Sequence, residues 1–548
     1  MEKILSKNKK EILLGNEAIV RGALEAGVEY ATTYPGTPAS EIGDTFYKLQ
    51  TSNLKPQTFY FEYATNEKVA LESAMGANFS GRKTLVSMKH FGLNVASDTF
   101  IPLVYTDVLK GMVIVVGDDP SCHSSVQSEQ NSRGYSYLAH IPTLEPSDPQ
   151  ECKDFTKLAF EISEKYKIPV LVRITTRVAH QRMPVYFEKI SVSPSPSFQL
   201  SALKTKGRFS SMPPSHTLEM HSRLLKKISK IQKEIEASEI NFLSFPNKKA
   251  DLGIITSGIS YLYVMEAQRI LNINLPVFKL GWFYPLPYKK LKNFIKNCKK
   301  VLVVEELEPY LEKEIKLISP NSSCVFGKSH LPEVGELTPE YVTLAISKIL
   351  NIKSPINYKN LNLTSSSKRT PKFCQGCPYW LTLKALKDIT PKDTIWGGDI
   401  GCYMMAYFPP FEMQDYLFSM GSSVGISHGI SKNINLNKKK QKVIALIGDS
   451  TFFHAGIPGL INCAENKSNP LIIIMDNRIT AMTGHQPRPG LYGKPNIEDL
   501  VKACGVKYIK VIDPINQEEL KNTIKEFLEK KEVSVIIARR PCAFVKNH

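Results

Sequence analysis

Short apolar runs that end in glycine or an acidic residue recur along the chain. Met112 to Val116 precedes Gly-Asp-Asp, Val301 to Val304 precedes Glu-Glu, Val443 to Ile447 precedes Gly-Asp-Ser, and Leu471 to Met475 precedes Asp-Asn. Runs without polar positions are typical of strands buried on both faces, and stretches of helical pattern such as Asn66 to Phe79 lie between them. This alternation predicts an α/β protein with doubly wound, mostly parallel sheets.

Changes in the pattern divide the 548 residues into several blocks, as expected for domains of about 100–200 residues. Linkers are indicated by Ser193-Pro-Ser-Pro-Ser197, by a charged segment of helical period from Ser222 to Ser238, and by the polar stretch Asn357 to Thr370. The middle block resembles a small Rossmann-like unit. We expect three blocks and two linkers, over residues 12–187, 188–250, 251–352, 353–370 and 371–548.

The composition of the chain excludes several classes of protein. A hydrophobic content of 42% is that of a globular protein. Because no run of about eighteen apolar residues occurs, and charges extend through Lys10, we expect no membrane span, no secretory signal and a cytoplasmic location. The net charge of +18 is spread over helical surfaces without an arginine-rich arm, so we expect no nucleic-acid binding. A positive field would favour anionic substrates such as oxo acids, diphosphates or coenzyme A.

Two predicted strands end in oxygen-bearing side chains. Asp449 follows one of them, and Asn477 follows the other. The carboxyl ends of parallel strands meet at one edge of a sheet, where ligands collect. Mg²⁺ prefers oxygen ligands and keeps phosphate oxygens in its remaining positions. The two strand ends therefore predict a metal-bound diphosphate, although a lone Gly-Asp turn is also explained by an ordinary strand–helix connection.

Three segments of the first block carry polar residues beside predicted strands and helices. Thr37 lies in a Pro-Gly turn, Glu67 in the first turn of a helix, and His90 in a loop that contains glycine. Each also has a purely structural explanation, as a turn cap, a helix-terminal carboxylate or a packed histidine.

Four of the ten cysteines fall in the third block at suggestive spacing. Cys374 and Cys377 form a Cys-x-x-Cys pair, and Cys402 and Cys542 follow. Disulfides are not expected in a reducing compartment. The pair could be redox-active or half of a zinc or iron–sulfur site, and four thiols would close either metal site. The alternative is that the four are unligated core cysteines.

The segment from Gly448 to Asn477 resembles the thiamine diphosphate motif, with Ser450 and Asp476 in place of two of its usual residues. Further segments in the same order resemble the α subunit of indolepyruvate ferredoxin oxidoreductase, from about Ile12 to Phe544. They are Leu14–Ile19, Tyr34–Pro38, Asn66–Leu71, Met88–Asn94, Asp118–Pro120, His123–Ser125 and Leu144–Ser147.

The resemblance implies a fold, cofactors and roles for residues. It implies a pyrimidine-binding first domain, a middle domain like the transketolase C-terminal domain, and a diphosphate-binding third domain. Glu67 would hydrogen-bond N1′ of the aminopyrimidine, and Thr37, His90 and Arg133 would lie on the substrate side. Other residues are implied as ligands, namely Asp449, Asn477 and the carbonyl of Ile479 for Mg²⁺, Gly448, Ser450 and Cys402 for the cofactor, and Cys374, Cys377, Cys402 and Cys542 for one 4Fe-4S cluster.

The implied activity is oxidative decarboxylation of an aryl 2-oxo acid to an acyl-coenzyme A, with electrons passed to ferredoxin or another low-potential acceptor. The family works with a separate β subunit, so a homodimer or heterotetramer is expected. Typical members continue into a ferredoxin-like domain, whereas the sequence printed here ends at His548, which leaves the acceptor open. A non-oxidative decarboxylase and a non-catalytic accessory subunit are the alternatives.

Overall fold

The computed structural model describes residues 2–6, 9–52, 59–124, 127–191, 199, 203–205, 208–210, 212–244, 249–356, 371–491, 493 and 495–545. The chain divides into two compact units, residues 1–364 and 365–548. The predicted linker segments Ser193–Ser197 and Asn357–Thr370 lie outside the described residues.

Strands alternate with helices throughout both units. The strands, numbered in chain order, are β1 Lys10–Leu14, β2 Tyr30–Thr33, β3 Tyr60–Tyr63, β4 Thr84–Lys89, β5 Met112–Asp118, β6 Thr143–Leu144, β7 Val170–Thr175, β8 Arg182–Tyr186, β9 Phe242–Ser244, β10 Ala250–Ser257, β11 Val277–Leu280, β12 Trp282–Tyr284, β13 Cys298–Val304, β14 Val325–Phe326, β15 Ile395–Gly397, β16 Val443–Gly448, β17 Leu471–Asp476, β18 Tyr508–Ile512 and β19 Ser534–Arg539. The α-helices are Glu2–Leu5, Gly15–Glu25, Ser40–Thr51, Glu67–Phe79, His90–Tyr105, Arg133–Ala139, Pro149–Tyr166, Thr176–His180, Pro214–Ile235, Ser260–Leu271, Tyr288–Lys296, Tyr310–Ile318, Pro339–Leu350, Tyr379–Ile389, Ser422–Leu436, Asp449–Thr451, Ile457–Glu465, Ile497–Ala503 and Gln517–Leu528.

The first unit contains two large sheets. Seven strands form one of them in the order β12-β6-β7-β5-β4-β2-β3, in which only the edge strand β12 is antiparallel to its neighbour. Five strands form the other in the order β14-β13-β10-β11-β9, with β9 antiparallel at the edge. Strand β12 directly follows β11 of the five-stranded sheet in sequence, yet it forms hydrogen bonds with β6 of the seven-stranded sheet. The chain therefore passes from one sheet into the other at this point. A separate ribbon pairs β1 with β8.

The charged segment predicted to be helical, Ser222 to Ser238, lies in the helix Pro214–Ile235 except for its last three residues. This helix begins earlier than the charge pattern indicated, because a proline is tolerated in the first turn, where its missing N–H has no helical partner. Its buried side chains Leu224, Ile228, Ile231 and Ile235 repeat every three or four residues and belong to the core of the first unit. The rest of its surface carries the lysines, as the sequence indicated.

The second unit is one parallel sheet in the order β15-β16-β17-β19-β18. Ile444 and Leu446 of β16 contribute to one hydrophobic core, and Ala445 and Ile447 contribute to another. Successive side chains of a strand point to opposite faces, so both faces of this sheet are covered. The predicted α/β class with doubly wound sheets is confirmed. Among the described residues, no helix has both the length and the apolar surface that crossing a membrane requires.

Candidate active site

The second unit brings two acidic strand ends side by side. Strands β16 and β17 are parallel neighbours, with Gly448 in register with Met475. Asp449 therefore follows the first strand beside Asp476, which ends the second, and both carboxylates are buried. Gly448 allows this edge to pack closely, because a Cβ at that position would lie 2.8 Å from the ring of Tyr403.

A guanidinium group bridges the two carboxylates. Nε of Arg488 donates to Oδ2 of Asp449 at 2.5 Å, and Nη2 donates to Oδ1 of Asp476 at 2.9 Å. Arg539 holds the other oxygen of Asp476, with Nε donating to Oδ2 at 2.6 Å. Asp449, Asp476 and Arg488 are all buried. The edge of the sheet is thus a place where the protein itself holds a positive charge between carboxylates.

The electrostatics of the pair explain why a cation is needed. Burial raises the pKa of Asp449 above its ordinary value, an effect that Arg488 opposes and the neighbouring Asp476 reinforces. Burial would also raise the pKa of Asp476, but Arg488 and Arg539 outweigh it and lower that pKa below its ordinary value. Two adjacent buried carboxylates are unfavourable without compensating positive charge.

The predicted metal ligands next to Asp449 are oxygen donors on the same edge. Oδ1 of Asn477 accepts a hydrogen bond from the Ile479 amide at 3.1 Å, and the hydroxyl of Ser450 lies 2.8 Å from that of Thr480. A carboxylate, an amide oxygen and a carbonyl suit a hard divalent cation, and the guanidinium shows that a positive charge is accommodated here. The donor set fits Mg²⁺, although no three His, Cys, Asp or Glu side chains converge on one point in the described ranges. The metal roles of these residues stay predictions.

The four predicted cysteines are neighbours in the second unit. Burial raises the pKa of Cys402 to about 12, and the thiols of Cys377, Cys542 and Cys374 each add to this shift. Cys374 is exposed and the other three are partly exposed. The amide of Cys542 donates to the carbonyl of Asn477 at 3.0 Å, so the thiols adjoin the acidic strand ends. Four thiols are the donor set of an iron–sulfur cluster, but they do not close a metal site in the described part of the chain, and their ligand role stays a prediction.

In the first unit, Glu67 begins a helix, as its sequence position predicted. The side chain of Asn66 caps this helix by accepting from the amide of Val69 at 2.9 Å. The carboxyl of Glu67 is buried, and a Cβ built on Gly92 would lie 2.7 Å from its Oε1. Gly92 therefore provides the space that the Glu67 side chain fills.

His90 begins the neighbouring helix and is fully buried. Nδ1 lies 3.1 Å from the carbonyl of Gly117, which can only accept, so Nδ1 carries the proton. Burial lowers the pKa of His90, and Nε2 has no hydrogen-bond partner within the described residues. His90 thus presents a neutral ring whose Nε2 can accept a hydrogen bond. Gly92 lies two residues after His90 in the same helix, so the structure brings the segments of His90 and Glu67 together.

Thr37 lies in a turn that is linked to the same region. The hydroxyl of Ser124 donates to the Thr37 carbonyl at 2.9 Å, and Nζ of Lys89 donates to the Ser124 carbonyl at 3.1 Å. Burial lowers the pKa of Lys89 to about 8, with Asp119 opposing the shift. Lys89 is partly buried, shares the hydrogen-bond partner Ser124 with Thr37, and directly precedes His90. It is therefore a candidate substrate-side residue, although the sequence analysis did not single it out.

Arg133 lies in a buried ion-pair network. Nε donates to Oε1 of Glu145 at 2.7 Å, and Nη1 donates to Oε2 of Glu305 at 2.7 Å. Burial would raise the pKa of Glu145, but Arg133 and Arg173 outweigh it and lower the pKa to about 2. Because Glu145 follows β6 and Glu305 follows β13, this network connects the two large sheets of the first unit. A substrate role for Arg133 stays a prediction.

Two family models and several known proteins match this chain. Residues 399–538 match the family model "Thiamine pyrophosphate enzyme, C-terminal TPP binding domain", and residues 21–237 match "Pyruvate flavodoxin/ferredoxin oxidoreductase, thiamine diP-bdg". The chain is 42% identical to indolepyruvate oxidoreductase subunit IorA of Methanothermobacter marburgensis, over 97% of its own length and 86% of that relative. The chain belongs to the IorA family. The IorA subunit of Pyrococcus horikoshii is 39% identical, over 98% of this chain and 86% of that relative.

Membership confirms the resemblance inferred from the sequence motifs. The chain is a subunit of a thiamine diphosphate-dependent 2-oxo acid oxidoreductase. A solved structure of 2-oxoglutarate:ferredoxin oxidoreductase from Magnetococcus marinus is similar in fold, with a TM-score of 0.52 and 18% identity over 63% of this chain and 66% of that one. At this identity, the likeness concerns the fold alone.

Sequence reasoning missed three residues of the site. Asp399 accepts the amides of Gly421 and Ser423 at 3.0 Å each, which ties the Cys402 segment to the helix Ser422–Leu436. Asp399 could have been identified from the sequence because it lies three residues before Cys402. Lys89 could have been identified because it directly precedes His90. Arg488 stands alone between two prolines, and no local pattern connects it to a strand end.

Proposed function

We propose that the chain is the thiamine diphosphate- and Mg²⁺-binding subunit of an indolepyruvate-type oxidoreductase. The complex would convert an aryl 2-oxo acid and coenzyme A to carbon dioxide and an acyl-coenzyme A, with two electrons passed to ferredoxin or another low-potential acceptor. A β subunit would complete the enzyme, as a heterotetramer or around a homodimer of this chain. We expect this chemistry in the cytoplasm, where thiols stay reduced.

The proposal rests on one observation, which is that the four thiols lie next to the sheet edge where the two acidic strand ends meet. The link is the hydrogen bond of 3.0 Å from the Cys542 amide to the Asn477 carbonyl. A decarboxylase that releases an aldehyde transfers no electrons and needs no relay. Four cysteines beside the predicted diphosphate site are what an enzyme needs if one 4Fe-4S cluster is to take electrons from the cofactor.

The residues of the chain have distinct tasks in this proposal. Thiamine diphosphate, when bound, accepts the electron pair that is left as carbon dioxide departs. Asp449 and Asn477, with the carbonyl of Ile479, would hold the metal and so orient the diphosphate. Glu67 would hold a proton at N1′ of the aminopyrimidine. His90 would accept a hydrogen bond at Nε2 from the substrate side, because its Nδ1 proton is held by the Gly117 carbonyl.

Anaerobic co-purification with the partner subunit tests the proposal. We expect about four iron and four sulfide per chain for a single cluster, and reduction of a viologen dye with aryl 2-oxo acids and coenzyme A. Asp449→Asn should abolish both cofactor binding and dye reduction. Asp499→Asn is the matched control, because Asp499 is an exposed aspartate in the same unit. A panel of aryl and branched 2-oxo acids would define the preferred side chain.

The alternatives give different results in the same assays. Protein without iron that forms an aldehyde from the 2-oxo acid would be a non-oxidative decarboxylase. Protein that binds thiamine diphosphate but reduces no dye with any 2-oxo acid, even with its partner, would be a non-catalytic accessory subunit.

A further inference from the structure

We propose that Arg488 takes the cation position at Asp449 when no metal is bound, and that a divalent metal must displace its guanidinium from Asp449 before the cofactor is held. This inference rests on the proposed function, because it needs a metal at Asp449. It adds to the site a residue that controls the binding of the metal.

Both oxygens of the Asp449 carboxylate are engaged. Oδ1 accepts from the Ser450 amide at 2.9 Å, and Oδ2 accepts from Nε of Arg488 at 2.5 Å. Mg²⁺ binds carboxylate oxygens at about 2.0–2.1 Å. An ion at that distance from Oδ2 would lie against the guanidinium, where charges of +2 and +1 repel each other strongly in a buried setting. Arg488 and the metal therefore compete for the same oxygen.

The two carboxylates depend on Arg488 to different degrees. Asp476 keeps a second guanidinium, since Arg539 donates to its Oδ2 at 2.6 Å and is itself held by Glu498. Asp449 has Arg488 as its only ion-pair partner among the residues that the structure describes. Departure of Arg488 thus leaves Asp476 compensated and makes Asp449 available to another cation.

The position of Arg488 in the chain favours such an exchange. It lies in the connection after β17, outside the strands and helices, and glycines with left-handed φ angles of 129° and 74° precede and follow it at Gly484 and Gly490. Its third donor, Nη1, bonds to the carbonyl of the adjacent Pro489, so this contact would move with the side chain's own segment. The hydrogen bonds that tie the guanidinium to the rest of the sheet edge are those to the two carboxylates.

Metal binding in the absence of cofactor isolates this step. We would titrate the full chain with Mn²⁺, a paramagnetic substitute for Mg²⁺, and measure free Mn²⁺ by electron paramagnetic resonance. Arg488→Gln should bind Mn²⁺ at least about tenfold more tightly than the unmodified chain. Arg540→Gln is the matched control, because it removes the same charge from an arginine that pairs with the exposed Asp513. We expect its Mn²⁺ affinity to stay unchanged.

Thermal unfolding provides a second measurement, which applies if the variant is less stable than the unmodified chain. If removal of Arg488 destabilises the chain in the absence of metal, added Mn²⁺ should raise the thermal midpoint of Arg488→Gln more than that of the unmodified chain. Arg488→Lys keeps the charge without the planar fork and should bind Mn²⁺ with intermediate affinity.

The results that overturn the inference differ from those that overturn the function. Equal Mn²⁺ affinity in Arg488→Gln and the unmodified chain would refute competition. Tight thiamine diphosphate binding in a chelator, lost in Arg488→Gln, would refute it too, because the guanidinium would then be a permanent substitute for the metal. Failure of the unmodified chain to bind thiamine diphosphate with saturating Mg²⁺ would instead refute the proposed function.

Discussion

Glu67 occupies the space that a side chain on residue 92 would need. A Cβ built on Gly92 would lie 2.5 Å from Cγ of Glu67 and 2.7 Å from its Oε1. The two residues belong to neighbouring helices, Glu67–Phe79 and His90–Tyr105. The absence of a side chain at Gly92 therefore determines where the carboxyl of Glu67 can lie, and the proposed activator depends on a glycine 25 positions later in the chain.

Gly92→Ala should damage catalysis more than folding. The added methyl group must push Glu67 aside, and displacement of a reacting group by about 1 Å costs on the order of 100-fold in rate. We expect turnover to fall by about that factor while thiamine diphosphate binding persists. Steady-state kinetics and cofactor titration would measure both.

Gly76→Ala is the control for the change at Gly92. Gly76 lies in the helix that Glu67 begins, and a Cβ there would meet nothing within 4 Å. Alanine should stabilise that helix by roughly 0.5–1 kcal/mol and leave turnover intact. Equal loss of activity in both variants would show that helix packing, and not the position of Glu67, is responsible.

Glu67→Gln tests the activator directly. Glutamine has nearly the same shape but cannot hold the proton that the proposed role requires. Carbon dioxide release should become undetectable, while metal and diphosphate binding stay largely intact. Glu72→Gln, on an exposed turn of the same helix, is the control. Undiminished turnover in Glu67→Gln would remove Glu67 from the mechanism.

The features that sequence reasoning located are those with a local signature. The buried strands before Asp449 and Asp476 were recognisable from uninterrupted apolar runs, and parallel pairing then required their ends to meet. Glu67 was placed correctly at a helix start, because Asn66 is a good N-cap. In each case, the neighbouring residues in sequence contain the physical cause.

Features that depend on distant parts of the chain were not recognisable. Arg488 reaches Asp449 across 39 positions, and nothing near it in sequence indicates which carboxylate it will meet. Arg133 pairs with Glu305 across 172 positions, so its network is a property of the packed sheets. Strand β12 joins the first sheet for a similar reason, since three residues carry too little pattern to reveal a partner.

The cysteine prediction can be separated from folding. Cys402→Ser should lower iron content and dye reduction together, because a hydroxyl is a poor ligand for iron in a cluster. Thiamine diphosphate binding should persist. Cys504→Ser is the control, since Cys504 lies at the end of the helix Ile497–Ala503, and its thiol is not among those that shift the pKa of Cys402. Full iron content in Cys402→Ser would exclude this thiol as a ligand.

Glu306 makes the stability of the first unit depend on pH. This carboxyl is buried after β13, where its Oε1 accepts from the Leu337 amide at 3.1 Å. Burial raises its pKa to about 7, and Glu336 adds to the shift. An unfolded glutamate titrates near about 4.3, so the folded state binds more protons between these values. The stabilisation is complete below the unfolded pKa and is lost as pH rises through about 7.

Glu306→Gln should remove this dependence. Between about pH 5 and pH 8 the unmodified chain should lose about 2–3 kcal/mol of stability through this group, and the variant should not. Glutamine can still accept from the Leu337 amide, so the variant should have the higher thermal midpoint at pH 8, with a smaller difference at pH 5. Glu308→Gln, at an exposed position two residues later, is the control and should follow the unmodified chain. A Glu306→Gln midpoint that falls with pH as steeply as that of the unmodified chain would show that Glu306 is ionised in the folded state throughout this range.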